Sequence, residues 1–295
     1  MIHPHSEQHT ADAPIGIFDS GVGGLSVFRH LARLMPHERY VYYADTQNVP
    51  YGNKSGDEIL FLTLQAVDWL CKQGCKLIVI ACNSASAHSL TALRARCSVP
   101  IVGLVPALKP ACEISQSKQV AVLATQATLQ GRLLAQVIDE IATPKGVTVY
   151  KHFEPMLVPW VESGMPIDHH VADLLIKQTD EWHQAGIDVI VLGCTHYPFF
   201  KAFLQAWIDE RQLSMTLLDS GAAIAERVRS LLEFFGIVTT STQAGEPLAF
   251  YASSLAGHVA TTARRLAGVP IRFVDSEFGD VGVIHNDVGS DDLGK

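Results

Sequence analysis

Two cysteines stand in matching surroundings. In "QGCKLIVIACNSAS" (residues 73–86) and "AGIDVIVLGCTHYP" (residues 185–198), Gly74 aligns with Gly186, Ala81 with Gly193 and Cys82 with Cys194, with an apolar run between. Each thiol closes that run and is followed by polar residues, Asn83 and Ser84 in one case and Thr195 and His196 in the other. Each also precedes a predicted helix, whose N-terminal dipole favours a thiolate. One thiol near an imidazole suggests a nucleophile and its base. Two thiols in symmetric positions suggest a proton taken from one face of a carbon and another returned to the opposite face. A free thiol titrates near about 8.5, so a modest downward shift brings acid and base roles within reach of the same group.

Other residues at predicted strand ends supply what such chemistry needs. Asp19 is placed to orient or deprotonate the first thiol, and it also suits a helix N-cap. Gly21, Gly23 and Gly24 let the backbone approach a ligand, but they lack both the dinucleotide-binding spacing and the Lys-Ser/Thr of a phosphate loop. Ser20, Asn83, Ser84, Thr125, Thr128 and Thr195 are short donors suited, with helix-start N–H groups, to a small anionic substrate. The turn-rich "NVPYGNKS" (residues 48–55), with Pro50, Tyr51 and Gly52, either covers the ligand or forms a plain surface turn. Cys71, Cys75, Cys97 and Cys112 read as packing. Cys82 and Cys194 lack the further ligands of a closed zinc site, and His3, His5 and His9 lie in a polar tail, so no metal is expected.

The elements that must position these groups follow from periodicity. Strand-like runs such as "PIGIFDS", "RYVYYAD", "KLIVIAC", "QVAVLAT", "VTVYKHF", "DVIVLGC" and "LAFYAS" alternate with helical patterns. Phe28, Leu31, Ala32 and Met35 share one helical face, and Ser55 with Glu58 forms a capping box before residues 59–70. Such alternation predicts doubly wound, mostly parallel α/β sheets, in which ligands bind beyond the carboxyl ends of strands. The cysteine repeat, with a second echo between "FDSGVGG" (residues 18–24) and "LDSGAAI" (residues 218–224), predicts two similar α/β domains related by a pseudo-two-fold axis, with the active site in the crevice between them. The expected division is 14–106 plus 219–276 for the first domain and 107–218 for the second, with 1–13 and 277–295 as flexible tails.

Composition narrows the class. The chain has 295 residues, 48% apolar and 18% charged, with a formal charge of −8. Without a basic stripe, a nucleic-acid surface is not expected. The N-terminus lacks the features of a signal peptide, and no apolar run is long enough to span a bilayer, so a cytoplasmic protein is expected. Two other classes compete with stereoinversion. Cys194 and His196 could serve a hydrolase, although side chains two positions apart on a turn are poorly placed for the required hydrogen bond. A regulatory binding protein of the same fold would tolerate the loss of a cysteine, and neither is lost.

The motifs "IFDSGVGGLSV", "NVPYGNKS", "ACNSAS", "VGLVPALKPA", "VPWVESG", "VLGCTHYP" and "LLDSGAAIAERV", in this order, resemble those of the aspartate/glutamate racemase family, and of glutamate racemases in particular. The resemblance runs from about Ile15 to about Val274. It implies a cofactor-independent racemase that uses two cysteines and supplies D-glutamate for peptidoglycan, with an aspartate or broad-specificity racemase as the alternative. Carried over, it implies that Cys82 serves the D-enantiomer with Asp19 assisting. Cys194 serves the L-enantiomer with His196 and Glu162 nearby, although Glu154 competes with Glu162 for that place. Asp19, Ser20, Pro50, Tyr51, Gly52, Asn83, Ser84, Thr125, Thr128, Thr195 and His196 would line the substrate. The resemblance also implies a homodimer, and a cell-wall precursor as activator in some relatives. The chain departs from the family's pattern with Ser84 in place of threonine and Ala127 in place of glycine.

Overall fold

A computed structural model describes residues 10–243, 247–275 and 279–280. The strands are β1 (Ile15–Asp19), β2 (Tyr40–Ala44), β3 (Leu77–Ile80), β4 (Ile101–Gly103), β5 (Gln119–Leu123), β6 (Thr148–His152), β7 (Val189–Leu192), β8 (Thr216–Leu218), β9 (Leu248–Ala252), β10 (Ile271–Asp275) and β11 (Gly279–Asp280). They form two sheets, ordered β11-β10-β9-β2-β1-β3-β4 and β6-β5-β7-β8. All pairings are parallel except β10 with β11. β1, β3 and β7 are buried along their whole length, as continuous apolar runs in a covered parallel sheet must be.

The inner order β2-β1-β3-β4 repeats as β6-β5-β7-β8, so β3 and β7 are equivalent. Register agrees: Phe18 pairs with Ile80 and Leu123 with Leu192. The N–H of Ala81 donates to the Phe18 carbonyl at 2.7 Å, and that of Gly193 to the Leu123 carbonyl at 2.8 Å. Cys82 and Cys194 therefore leave equivalent strands at equivalent points. The second echo has a different meaning. "FDSGVGG" follows β1 but "LDSGAAI" follows β8, an edge strand, and the equivalent of β1 is β5. That likeness reflects a shared strand-to-helix turn, not the repeat.

The helices are α1 (Leu25–Leu34), α2 (Gly56–Lys72), α3 (Asn83–Arg96), α4 (Leu108–Ile114), α5 (Gln126–Gln130), α6 (Arg132–Val137), α7 (Leu157–Glu162), α8 (His170–Gln184), α9 (Lys201–Glu210), α10 (Gly221–Phe235) and α11 (Gly257–Ala267). Ser55 Oγ accepts the Glu58 N–H at 3.3 Å, and Ile59, Thr63, Ala66, Val67 and Leu70 of α2 are buried at helical spacing. After β8 the chain returns to the first sheet, where α10 places Ile224, Val228 and Leu232 in the same core as Phe28 and Leu31 of α1. α4 instead packs Leu108 and Cys112 with the interior of the second sheet.

Residues 10–13 are tied down, contrary to their expected place in a flexible tail. The Ala11 carbonyl accepts from the ammonium of Lys76, a wholly buried side chain, and Asp12 Oδ1 accepts from Thr239 Oγ1 at 3.1 Å. A buried ammonium needs acceptors, and the chain start supplies one. The rest of that tail with His3, His5 and His9, and the segment beyond residue 280, lie outside the described residues.

Candidate active site

The carboxyl ends of β1, β3, β5 and β7 converge where the two sheets meet. Contacts between the halves define the cleft. Ser26 Oγ of α1 donates to the Thr195 carbonyl at 2.7 Å, and Ser84 Oγ lies 2.9 Å from Thr125 Oγ1, which is itself 2.9 Å from Thr128 Oγ1. Gly52 lies against Thr125: a Cβ there would stand 3.1 Å from the threonine Cβ. Asp19, Ser20, Tyr51, Cys82, Asn83, Ser84, Thr128, Cys194, Thr195 and His196 are all buried. This is a closed cleft. Its residues must part to admit a substrate.

The first thiol sits at the N-cap of α3, where Cys82 Sγ accepts the Ala85 N–H at 3.4 Å and lies 3.6 Å from Ser20 Oγ. Asp19 Oδ2 accepts the Gly24 N–H at 2.7 Å and the Tyr42 hydroxyl at 3.4 Å, so it serves the start of α1 as well as the thiol. Burial, and then the Asp19 carboxylate, push the Cys82 thiol up to about 12 despite the helix start. The downward shift expected from sequence does not occur here, because desolvation and a like charge outweigh the dipole. Burial also raises the Asp19 carboxyl, with the His196 charge and the Gly24 N–H opposing.

The second thiol has different surroundings. Cys194 does not cap an α-helix: a short 3₁₀ turn at Tyr197–Phe199 follows, and α9 begins only at Lys201. Its partner is His196, with Nδ1 3.9 Å from Cys194 Sγ and Nε2 3.0 Å from Glu162 Oε1. Burial alone would disfavour the imidazolium, but the hydrogen bonds to Cys194 and Glu162 and their charges outweigh it and raise His196 to about 10. Burial likewise opposes the Glu162 carboxylate, yet the bond to His196, its charge and that of His258 hold Glu162 below its ordinary value. Glu154 takes no part in this line; its Oε1 accepts the Met156 N–H at 3.0 Å.

Thus Asp19, Ser20, Cys82, Asn83, Ser84, Thr125, Thr128, Cys194, Thr195, His196 and Glu162 come together, and Gly52 and Tyr51 close one side. Pro50 precedes the 3₁₀ turn of Tyr51–Asn53, and the Tyr51 hydroxyl donates to Asp45 Oδ2 at 2.7 Å. Two glycines read as ligand-facing instead clear protein groups. A Cβ on Gly23 would overlap the His196 ring and stand 2.7 Å from Thr195 Oγ1, and one on Gly24 would stand 2.7 Å from the Tyr42 hydroxyl. The departures are accommodated: Ser84 keeps its hydroxyl bond, and Ala127 is buried among the apolar residues around α2 and α3. Arg265 gives no signal in the sequence, yet it bonds the Val161 and Glu162 carbonyls at 3.0 and 3.1 Å and so fixes the Glu162 backbone. Among the described residues no group of three His, Cys, Asp or Glu side chains is gathered as a metal site, and no helix is long and apolar enough to cross a membrane.

A two-sheet α/β fold with thiols at equivalent strand ends, each beside its own acid or imidazole, defines an enzyme class built for proton transfer at a small substrate. The chain belongs to the Asp/Glu/hydantoin racemase family, whose model matches residues 15–228. It is 46% identical to a glutamate racemase of Deinococcus radiodurans over 79% of either chain. The glutamate racemase structure from Francisella tularensis in complex with D-glutamate superposes with a TM-score of 0.77 at 25% identity, covering 94% of this chain and 99% of that one. The Escherichia coli glutamate racemase in complex with L-glutamate and the activator UDP-MurNAc-Ala gives 0.73 at 29% identity, covering 89% and 97%.

Proposed function

We propose that this enzyme interconverts L- and D-glutamate without a cofactor, through Cys194 and Cys82 as opposed base and acid, and so supplies D-glutamate for peptidoglycan. The observation that carries the reading is the pair of thiols on equivalent strands with opposite electrostatics. Cys82 is held as a thiol. Cys194 faces an imidazolium that is backed by a carboxylate, the setting that activates a thiolate. With L-glutamate, Cys194 acting as the thiolate removes the α-proton, and the Cys82 thiol gives its proton to the opposite face. D-glutamate is processed by the reverse assignment, with Cys82 as thiolate and Cys194 as thiol. Ser20, Asn83, Ser84, Thr125, Thr128 and Thr195 supply neutral donors for the carboxylates, and closure keeps water from competing with the thiols.

The relatives' names and the glutamate complexes of two neighbours support the choice of substrate. An activator of the UDP-MurNAc-Ala kind fits a second place. A cavity of about 760 Å³ at the β4 edge is lined by Arg94 and Arg227, by apolar residues of α10 and by no acidic residue. Neither guanidinium has a carboxylate partner among the described residues, so an anionic precursor would supply the missing charge.

Incubation with L-glutamate in heavy water, without added cofactor, tests the main reading. Loss of optical rotation with deuterium entering the α-carbon is expected. Faster conversion of aspartate would move the assignment to an aspartate or broad-specificity racemase.

A further inference from the structure

Each turnover leaves the enzyme in the wrong protonation state for the next. After L-glutamate becomes D-glutamate, Cys194 holds the abstracted proton and Cys82 has lost its own, so the free enzyme must discharge one thiol and recharge the other. The two sides of the cleft are unequally equipped for this. On the Cys82 side, Asp19 is buried, and its neighbour Tyr42 passes its hydroxyl to the Gly21 carbonyl at 3.0 Å, a group that carries no proton onward. On the Cys194 side the line of Sγ, His196 Nδ1, His196 Nε2 and Glu162 Oε1 is continuous, and it ends on a side chain that is 36% exposed while His196 is 6% exposed. Glu162 opens onto a cavity of about 150 Å³, lined also by Gly21, Val49, Ser254, Ala256, His258 and Thr262. Gly21 and Val49 adjoin the substrate-lining Ser20 and Pro50, while Ser254, Ala256, His258 and Thr262 come from the far side, around the start of α11.

We propose that Glu162 is the solvent-side end of a proton relay that discharges Cys194 through His196 into the cavity beside His258, without opening of the substrate cleft. The inference rests on the two-thiol reading given above. In the step, the His196 imidazolium first gives its Nε2 proton to Glu162 Oε1, and the carboxylic acid releases it to water or buffer in the cavity. Ring reorientation then leaves the remaining proton away from the thiol, and the free ring nitrogen takes the Cys194 S–H proton. One proton leaves the thiol and one arrives in solvent, and His196 and Glu162 end as they began, as imidazolium and carboxylate. Glu162 and His258 are positioning and relay groups, not catalytic ones, because neither touches the reacting carbon. Cys82, lacking such a line, exchanges its proton through the cleft itself.

The relay predicts a kinetic split. Resetting the free enzyme belongs to kcat at saturating L-glutamate and does not enter kcat/KM, which covers only binding through the first irreversible step. Ala256→Phe places a ring at the cavity without touching the cleft. It is expected to lower kcat about threefold to tenfold, a small part of what a positioned proton-transfer group contributes, and to lower KM in parallel, leaving kcat/KM unchanged. In Glu162→Ala, imidazole or formate buffer should restore kcat in proportion to its concentration, and adding Ala256→Phe should remove that rescue. A variant that fails to fold shows itself by loss of kcat/KM with no response to buffer, and the wild-type enzyme then serves: its kcat should rise with imidazole concentration at constant pH and ionic strength. Failure of the wild type to racemise glutamate overturns the functional reading and the relay with it. Racemisation by the wild type, with kcat of Ala256→Phe unchanged or with no buffer rescue of folded Glu162→Ala, overturns the relay alone.

Discussion

His196 Nε2 lies 3.0 Å from Glu162 Oε1 while the same ring turns Nδ1 toward Cys194 Sγ at 3.9 Å, so one imidazole joins a thiol to a carboxylate. The arrangement holds His196 at about 10 instead of its ordinary 6.5. A raised folded value contributes stability that is complete below the unfolded value and is lost as pH climbs through the folded one. Between pH 6.5 and about 10 the wild type should therefore lose more stability than His196→Asn, which has no ring to titrate. Urea midpoints at the two ends of that window measure it. Equal losses would show that the imidazolium is not held.

The chain start contributes more than its composition suggests. Removing residues 1–12 takes the Ala11 carbonyl from the buried Lys76 ammonium, whereas a chain that starts at Thr10 keeps it. The longer truncation should cost about 1–3 kcal/mol, the range for a buried polar group left short of a partner, while the shorter one keeps this contact. Thermal melts of the two chains decide. A shift of the same size in both would place the stabilisation elsewhere in the tail.

Much of the fold is legible in the sequence because its strands are continuous apolar runs ended by small or polar residues, and because the cysteine repeat keeps its register without a gap. Cys82, Cys194 and Asp19 could be picked out for the same reason: each ends a strand. What misled was local likeness without topology. "LDSGAAI" resembles "FDSGVGG", yet strand order, set by contacts distant in sequence, separates β8 from β1. Gly23 and Gly24 carried a ligand-facing reading because no sequence shows that His196 and Tyr42 arrive from elsewhere to fill the space. The Cys71 thiol, read as packing, is drawn down to about 7, first of all by its interaction with Cys97. Their partnership depends on how α2 packs against α3, which periodicity alone does not fix.

Arg94 and Arg227 lie away from the cleft, so the proposed activator site can be tested apart from catalysis. Arg94→Ala and Arg227→Ala should leave basal racemisation within about twofold, as surface changes distant from the reacting atoms do, and should weaken binding of UDP-MurNAc-Ala by about tenfold each, the loss expected of one charge-assisted contact. Calorimetric titration with the precursor measures this. Unchanged binding in both variants would move the activator away from this cavity.

The two thiols make the most exacting claim. Enantiomers have equal free energy, so kcat/KM for glutamate must be the same in both directions whatever the asymmetry of the site; an irreversible reaction is needed to see each thiol separately. A substrate analogue with a leaving group at the β-carbon provides one, since elimination needs proton removal but no reprotonation on the far face. Replacing either cysteine with alanine or serine should cut racemisation by roughly a hundredfold or more, the loss expected on removing a positioned general acid or base. Elimination should then divide by hand: Cys194→Ser retains it for the D-analogue, and Cys82→Ser for the L-analogue. Because burial and the Asp19 carboxylate raise the Cys82 thiol to about 12, its thiolate is scarce at neutral pH. Elimination from the D-analogue by Cys194→Ser should therefore climb by about tenfold for each pH unit through the mildly alkaline range, as a base well below its pKa requires. Stopped-flow or absorbance assays of the eliminated product follow both variants. If both process the same enantiomer, or if either racemises glutamate at the wild-type rate, opposed thiols are not the mechanism.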